Sequence, residues 1–267
     1  MDPIILLVMI FSGILAGFLA GLMGIGGGIV TVPILYYVLG FYGVQDAIIM
    51  HMTVGTSLAI IVPTSLVSSW SHHKKDAVDL ALVKGWAVFI GIGAIYGVWL
   101  ATFLDGESLK IFFAVMALLL GFKLLLGREK GGAKVGFPNG IIGKGVAALI
   151  GGLSSLMGIG GATFSVPVLT FYGFSIHKAV GTASLLGLLI SLPAVIGYAY
   201  NGMAQENLPP FSFGYISLAA FLIMAPFSGL MAPIGVRVAH MLPKRRVSVF
   251  FGAFLIITSL RMTGVLS

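Results

Sequence analysis

The sequence predicts an all-α polytopic membrane protein: two inverted five-segment repeats, residues 1–130 and 131–267, with glycine-rich helix breaks near mid-membrane. Three observations carry that expectation. Of 267 residues, 58% are hydrophobic and 9% charged, whereas roughly a quarter of a soluble chain is charged; the mean hydropathy is +1.10. Apolar stretches that approach the length needed to cross a hydrocarbon core, about 20 residues, recur from end to end. A glycine-rich hexapeptide occurs once in each half.

The first stretch, 4–21, follows Met1-Asp2-Pro3 without the basic lead-in of a cleavable signal, so it reads as a permanent span. Stretch 28–42 follows the first glycine run and is short. Stretch 44–70 is long and carries Pro63, which removes one helical hydrogen bond and predicts a kink. In 85–104, Gly93 and Gly97 form a GxxxG spacing that lets a neighbouring helix approach, and 109–126 closes the half. In the second half, 141–157 leads into the second glycine run and 163–173 is again short. Stretch 177–200 carries Pro193, and 214–236 and 247–265 complete the set. The two short stretches are either full crossings or re-entrant halves, giving ten spans or eight spans plus two hairpins.

Charge sets the orientation. Lys and Arg cluster at 71–84 (Lys74, Lys75, Lys84), 127–144 (Arg128, Lys130, Lys134, Lys144) and 237–246 (Arg237, Lys244, Arg245, Arg246). Positively charged loops stay in the cytoplasm. Loops 105–108 and 201–213 carry Asp105, Glu107 and Glu206 without Lys or Arg and fall outside, as do both termini. A multi-pass membrane protein follows. The net charge of +7 is thus topology, with no nucleic-acid surface, because the basic residues lie in short loops. The absence of cysteine excludes disulfides, thiolate nucleophiles and iron–sulfur clusters.

The repeat is written in identical residues. Leu22-Met23-Gly24-Ile25-Gly26-Gly27 returns as Leu156-Met157-Gly158-Ile159-Gly160-Gly161, and Thr31-Val32-Pro33 as Ser165-Val166-Pro167. His51 with Val54-Gly55-Thr56 matches His177 with Val180-Gly181-Thr182. Phe112-Phe113 with Lys123 matches Phe250-Phe251 with Arg261. Five segments per half is an odd number, so the second half enters from the opposite face.

Each glycine run separates two apolar segments, and a break inside a membrane survives only where it is buried in protein or lines a wet cavity. Helix N-termini there present unpaired amides and about half a positive charge, which holds an anion without Lys or Arg. The candidate binding residues are therefore Gly24, Gly26, Gly27 and Gly28 with Thr31, and Gly158, Gly160 and Gly161 with Ser165. Pro33 and Pro167 fit a first helical turn. Thr56-Ser57 and Thr182 with Ser184 offer hydroxyls within the third segment of each half, and His51 and His177 add protonatable groups one turn earlier. Every one of these also has a plain structural use: close packing for the glycines, back-bonding for the hydroxyls, an interfacial contact for the histidines. No catalytic set, metal site or cofactor site accompanies them, which speaks against an enzyme. Every Asp and Glu lies in or beside a predicted loop or terminus, so the membrane core holds nothing to repel an anion.

With its paired glycine motifs, each followed by Pro33 or Pro167 and then by Gly55-Thr56 or Gly181-Thr182, the chain resembles the sulfite exporter TauE/SafE family of transporters. The resemblance implies export or movement of sulfite, thiosulfate or organosulfonates such as sulfoacetate across the bacterial cytoplasmic (inner) membrane, and the inverted halves supply the two packings that alternating access needs. The alternative is an anion channel, or a carrier for another small anion. The partners it implies are a small anionic substrate and the lipid bilayer, and it is compatible with a homo-oligomer. One departure separates the halves: Ala162 stands where the first half has Gly28.

Overall fold

The computed structural model describes residues 3–23, 27–126, 140–238 and 244–265, and within them each apolar stretch is a helix. The first half holds α1 (Pro3–Met23), α2 (Gly28–Phe41), α3 (Asp46–His73), α4 (Leu80–Ala101) and α5 (Gly106–Leu126). The second holds α6 (Ile141–Met157), α7 (Ala162–Phe171), α8 (Ile176–Gly202), α9 (Leu218–Val238) and α10 (Lys244–Met262). Six of these, α1, α3, α4, α5, α8 and α9, are long and apolar enough to cross a bilayer. By contrast α2 has 14 residues and α7 has 10; at 1.5 Å per residue they reach about 21 and 15 Å, short of a core about 30 Å thick. Large apolar side chains such as Val88, Ile92, Ile95 and Leu119 face outward, as a lipid solvent permits and water does not.

Three expectations change at the helix ends. Helix α4 begins at Leu80 rather than 85, because Asp79 caps it: the Leu82 amide donates to Asp79 Oδ1 at 3.0 Å. The basic loop thus shrinks to residues 74–79, and Lys84 lies within the helix. Helix α9 begins at Leu218 rather than 214, since the preceding residues fold into a small hairpin, β1 (Ser212–Phe213) against β2 (Ile216–Ser217). Finally, Pro33 and Pro167 each occupy the sixth position of their helix, past the first turn. There a proline withholds a donor from the carbonyl four residues back, Ile29 or Thr163, and bends the helix near its start.

The ends of the bundle differ in charge. At one end Gly106 packs on the backbone of Asp46 and Ala47, and the His51 ring lies 5.2 Å from that of Tyr215. This end carries Asp46, Asp105, Glu107 and Glu206. Ser108, through its hydroxyl and its amide, holds the Asp105 carboxyl below the usual carboxylate range. At the other end Ala77 packs on Gly181, and Lys178 pairs with Asp79 at 3.8 Å. Lys74 and Lys75 share that end, where Lys74 lies 5.2 Å over the exposed Trp70 ring. Tyr96, Trp99 and Phe103 form an exposed aromatic group near the acidic end. Aromatic groups at both ends match the belts that mark membrane interfaces.

The most extensive packing crosses between the halves. Helix α1 lies along α9 and α4 along α6, while α3 packs on α8 and α5 on α10. Small residues permit the first two contacts: Gly17 and Gly21 meet Ser228 and Ala232, and Gly93 and Gly97 meet Ala148 and Gly152. The GxxxG of α4 is thus a helix contact. At the centre, Val54, Leu58 and Ile61 of α3 join Ala194 and Tyr198 of α8 in one buried apolar cluster that also holds Leu156 and Ile159.

Candidate functional site

The two glycine breaks meet. Gly158 ends α6 with φ 67°, a left-handed conformation that glycine enters without a Cβ clash. The Ile159 amide then closes the turn on the Ser154 carbonyl at 3.1 Å. Gly28, the first residue of α2, lies directly against this turn: a Cβ built on it would stand 2.9 Å from Ile159 Cα and closer still to the Gly158 carbonyl. Helix α3 crosses the same point. Ser57 Oγ donates to the Gly158 carbonyl at 2.7 Å, and a Cβ on Gly158 would stand 2.9 Å from Val54 Cα. Gly24 and Gly26, two of the expected binding residues, lie outside the described residues; Gly27 is described, with φ 76°.

Hydroxyls at equivalent positions beside the two helix starts are used differently. Thr31 Oγ1 donates back to the Gly27 carbonyl at 3.0 Å. Ser165 amide binds the Gly161 carbonyl at 2.8 Å, but Ser165 Oγ, fully buried, has no partner among the described residues. Ser65 Oγ on α3 is in the same condition. The two converge on the start of α7. A Cβ built on Gly187 would stand 3.2 Å from Ser65 Oγ and 3.6 Å from the Gly161 nitrogen, and one built on Gly161 would stand 3.7 Å from both Ser165 Oγ and the Gly187 nitrogen. Ser154 and Thr163 on either side of the break also keep unpartnered buried hydroxyls. Each such donor left unpaired in a protein interior costs about 1–3 kcal/mol. Helix α7 begins at Ala162, with the Thr163 amide bound to the Gly160 carbonyl at 3.3 Å. The amides ahead of Thr163 precede the helical ladder and point out of its first turn.

The recurring Gly-Thr pairs occupy matching places away from this point. Thr56 Oγ1 accepts from the Ser217 amide at 2.9 Å, and Gly55 lets the Tyr215 carbonyl pass close to α3. Thr182 Oγ1 accepts from the Asp79 amide, also at 2.9 Å, and Gly181 admits the Ala77 carbonyl. Each pair therefore anchors the segment that leads into a long helix, α9 in one case and α4 in the other. Ser184 Oγ donates to the Val180 carbonyl at 3.0 Å and lies 3.3 Å from Ser68 Oγ. The histidines diverge: His51 is buried and its Nε2–H donates to the Ala101 carbonyl at 3.1 Å, whereas His177 is exposed at the start of α8.

The structure thus brings Gly27, Gly28, Ser57, Gly158, Gly160, Gly161 and Ser165 to one region and leaves Thr56, Thr182, His51 and His177 nearer the ends. Sequence reading missed Ser65 and Gly187. A signal existed, because Ser65 is matched by Ser191 at the spacing that pairs His51 with His177.

The family model described as Sulfite exporter TauE/SafE matches residues 9–262. A probable membrane transporter protein of Haemophilus influenzae is 34% identical over 261 residues, covering 96% of this chain and 97% of its own. A probable membrane transporter protein of Methanocaldococcus jannaschii is 25% identical over 268 residues, covering 97% and 96%. The Bacillus subtilis probable membrane transporter protein YdhB is 27% identical over 252 residues, covering 90% and 91%. No solved structure matches.

Proposed function

The chain belongs to the sulfite exporter TauE/SafE family and is a membrane transporter rather than an enzyme, and from that premise we propose that it exports small sulfur-containing anions, such as sulfite or organosulfonates, by alternating access. The observation that carries the reading is the meeting of Gly28, the first residue of α2, with the Gly158–Ile159 turn that links the end of α6 to α7, which brings the two glycine breaks together in the interior. Amides at helix starts hold an oxyanion through hydrogen bonds and partial positive charge, and they release it more readily than a desolvated Lys or Arg would. Ser165 and the α7 amides form the binding face; Thr31, Thr56, Ser57 and Thr182, whose hydroxyls engage backbone groups, hold its frame.

Inversion of the halves supplies the two alternative packings. In its support, the α2–α3 turn lies at the acidic end beside Tyr215, while the corresponding α7–α8 turn lies at the other end beside Val83 and Trp86. The exchange of partners, α1 with α9 and α4 with α6, is the pattern a two-fold relation produces. On this reading α2 and α7 are re-entrant, eight helices span, and the end with Lys74 and Lys75 faces the cytoplasm of a cell whose inner membrane holds the protein. Uptake into proteoliposomes tests the substrate class: sulfite and sulfoacetate should move saturably, and an amine and a neutral sugar should not. Movement of the amine without either anion would overturn it.

A further inference from the structure

Helix α3 carries a line of buried polar side chains that the Gly-Thr motif does not explain. Ser57, Ser65, Ser68 and His72 are each at most 2% exposed, and their spacings of eight, three and four residues keep them near one face. Their neighbours are polar or small. Ser57 meets Gly158, Ser65 meets Gly187 beside the Gly160–Gly161 backbone, and Ser68 meets Ser184. As the position on α3 rises from 65 to 68, the facing position on α8 falls from 187 to 184, so the helices run antiparallel here and the line continues to the end that bears Lys74 and Lys75. From Ser57 to His72 the rise is about 22 Å.

Toward the acidic end the seam changes character, although α3 also buries Thr53 and Thr56 on that side. There the facing residues are Val54 and Leu58 on α3 and Ala194 and Tyr198 on α8, all within the central apolar cluster. Tyr198, 1% exposed, closes that side with its hydroxyl donating to the Ser155 carbonyl at 3.3 Å. Ser191, the repeat counterpart of Ser65, has turned back to its own helix at Leu188. The halves are related in sequence, yet the meeting of an α3 hydroxyl with an α8 hydroxyl, Ser68 with Ser184, lies on the basic side of the centre.

We infer that an oxyanion passes between the basic end and the centre along the α3–α8 seam, past His72, Ser68 and Ser184, and is received by Ser65 Oγ, Ser165 Oγ and the first amides of α7. This rests on the anion-transport reading and assigns its site and one of its two routes. The convergence at the α7 start does not depend on the helix terminus alone. Two hydroxyls, each at least 99% buried and without a partner among the described residues, lie beside the contact of Gly161 with Gly187. A tetrahedral or pyramidal oxyanion offers several acceptors in one place, which a set of converging O–H and N–H donors matches. Gly187 leaves the room: any side chain there would stand between Ser65 and the α7 amides.

Because the chain has no cysteine, single cysteines report on the seam without background. The Ser65→Cys, Ser68→Cys and Ser184→Cys variants of the full chain, in proteoliposomes, are treated with 2-sulfonatoethyl methanethiosulfonate, and modification is followed by mass spectrometry. Ser12→Cys and Ser259→Cys, equally buried on α1 and α10, serve as controls. The seam variants should react at least tenfold faster than the controls, and millimolar sulfoacetate should slow them severalfold. In parallel, Ser65→Ala with Ser165→Ala should raise the KM for sulfoacetate uptake tenfold or more, while Ser191→Ala leaves it unchanged. Uptake of anion by the parent protein, with seam variants no more reactive than controls or with KM unmoved by the double substitution, overturns the seam and leaves the transporter. Failure of the parent protein to take up any anion overturns the function on which the seam rests.

Discussion

Single residues divide into those that let backbones meet and those that hold what the meeting exposes. Gly158→Val forces a β-branched side chain into a left-handed turn and against Val54, and Gly28→Val drives one into the Gly158 carbonyl. Both should abolish flux, measured in proteoliposomes at matched protein content. Thr56→Val and Thr182→Val leave the buried Ser217 and Asp79 amides without their acceptors, at a cost of about 1–3 kcal/mol each. Melting in detergent should fall for both, while the KM of the surviving protein stays near that of the parent. The motifs themselves were legible as sequence, since six identical residues recur and Gly-Thr recurs behind them. Their separate duties were not. The donors to Thr56 and Thr182 lie 161 and 103 residues away, and nothing local in a Gly-Thr pair distinguishes a ligand from an anchor. Ser65 escaped notice for a related reason: a serine in a long apolar helix usually bonds back to its own turn, and only the approach of Gly187 and Gly161 shows that this one faces elsewhere.

Among the elements, the long helices were plain in the apolar lengths, because lipid removes every competing way to satisfy a backbone. The errors fall where a side chain or a turn decides a boundary: Asp79 draws α4 back to Leu80, and the hairpin at 212–217 delays α9. A hydropathy pattern cannot see either, since one depends on a single carboxylate and the other on docking to α3. The short helices α2 and α7 are the elements whose fate bears on mechanism, and the sidedness of the long ones can be measured. Lys75 and Asn207, both exposed at opposite ends, provide the test. In intact cells a membrane-impermeant maleimide should label Asn207→Cys and spare Lys75→Cys until the membrane is opened. The reverse pattern would turn the protein over and put the α3–α8 seam on the outer side.

For the whole molecule, uniport of a monovalent anion would have an electrical signature. Each 100 mV contributes about 2.3 kcal/mol, which at 1.4 kcal/mol per decade shifts the steady-state ratio across the membrane roughly 50-fold. Vesicles clamped with potassium and valinomycin should show that dependence; a ratio indifferent to potential would indicate obligatory electroneutral exchange. The proposed two-half organisation rests on the repeated motifs, and the helix partners were not readable from them, because packing partners leave no mark in a single sequence. The pairing, α1 along α9 and α4 along α6, also sets a schedule during synthesis. Helix α4 waits only for the helix after next, whereas α1 leaves the ribosome about 200 residues before the end of α9, an interval on the order of 10–40 s at 5–20 residues per second. Through that interval the face bearing Gly17 and Gly21 has lipid, a chaperone or the insertion machinery as its neighbour. Helix α1, made well before its partner, is thus slow to find its place, and a ribosome stalled before α9 leaves an orphaned helix for the quality-control proteases to recognise.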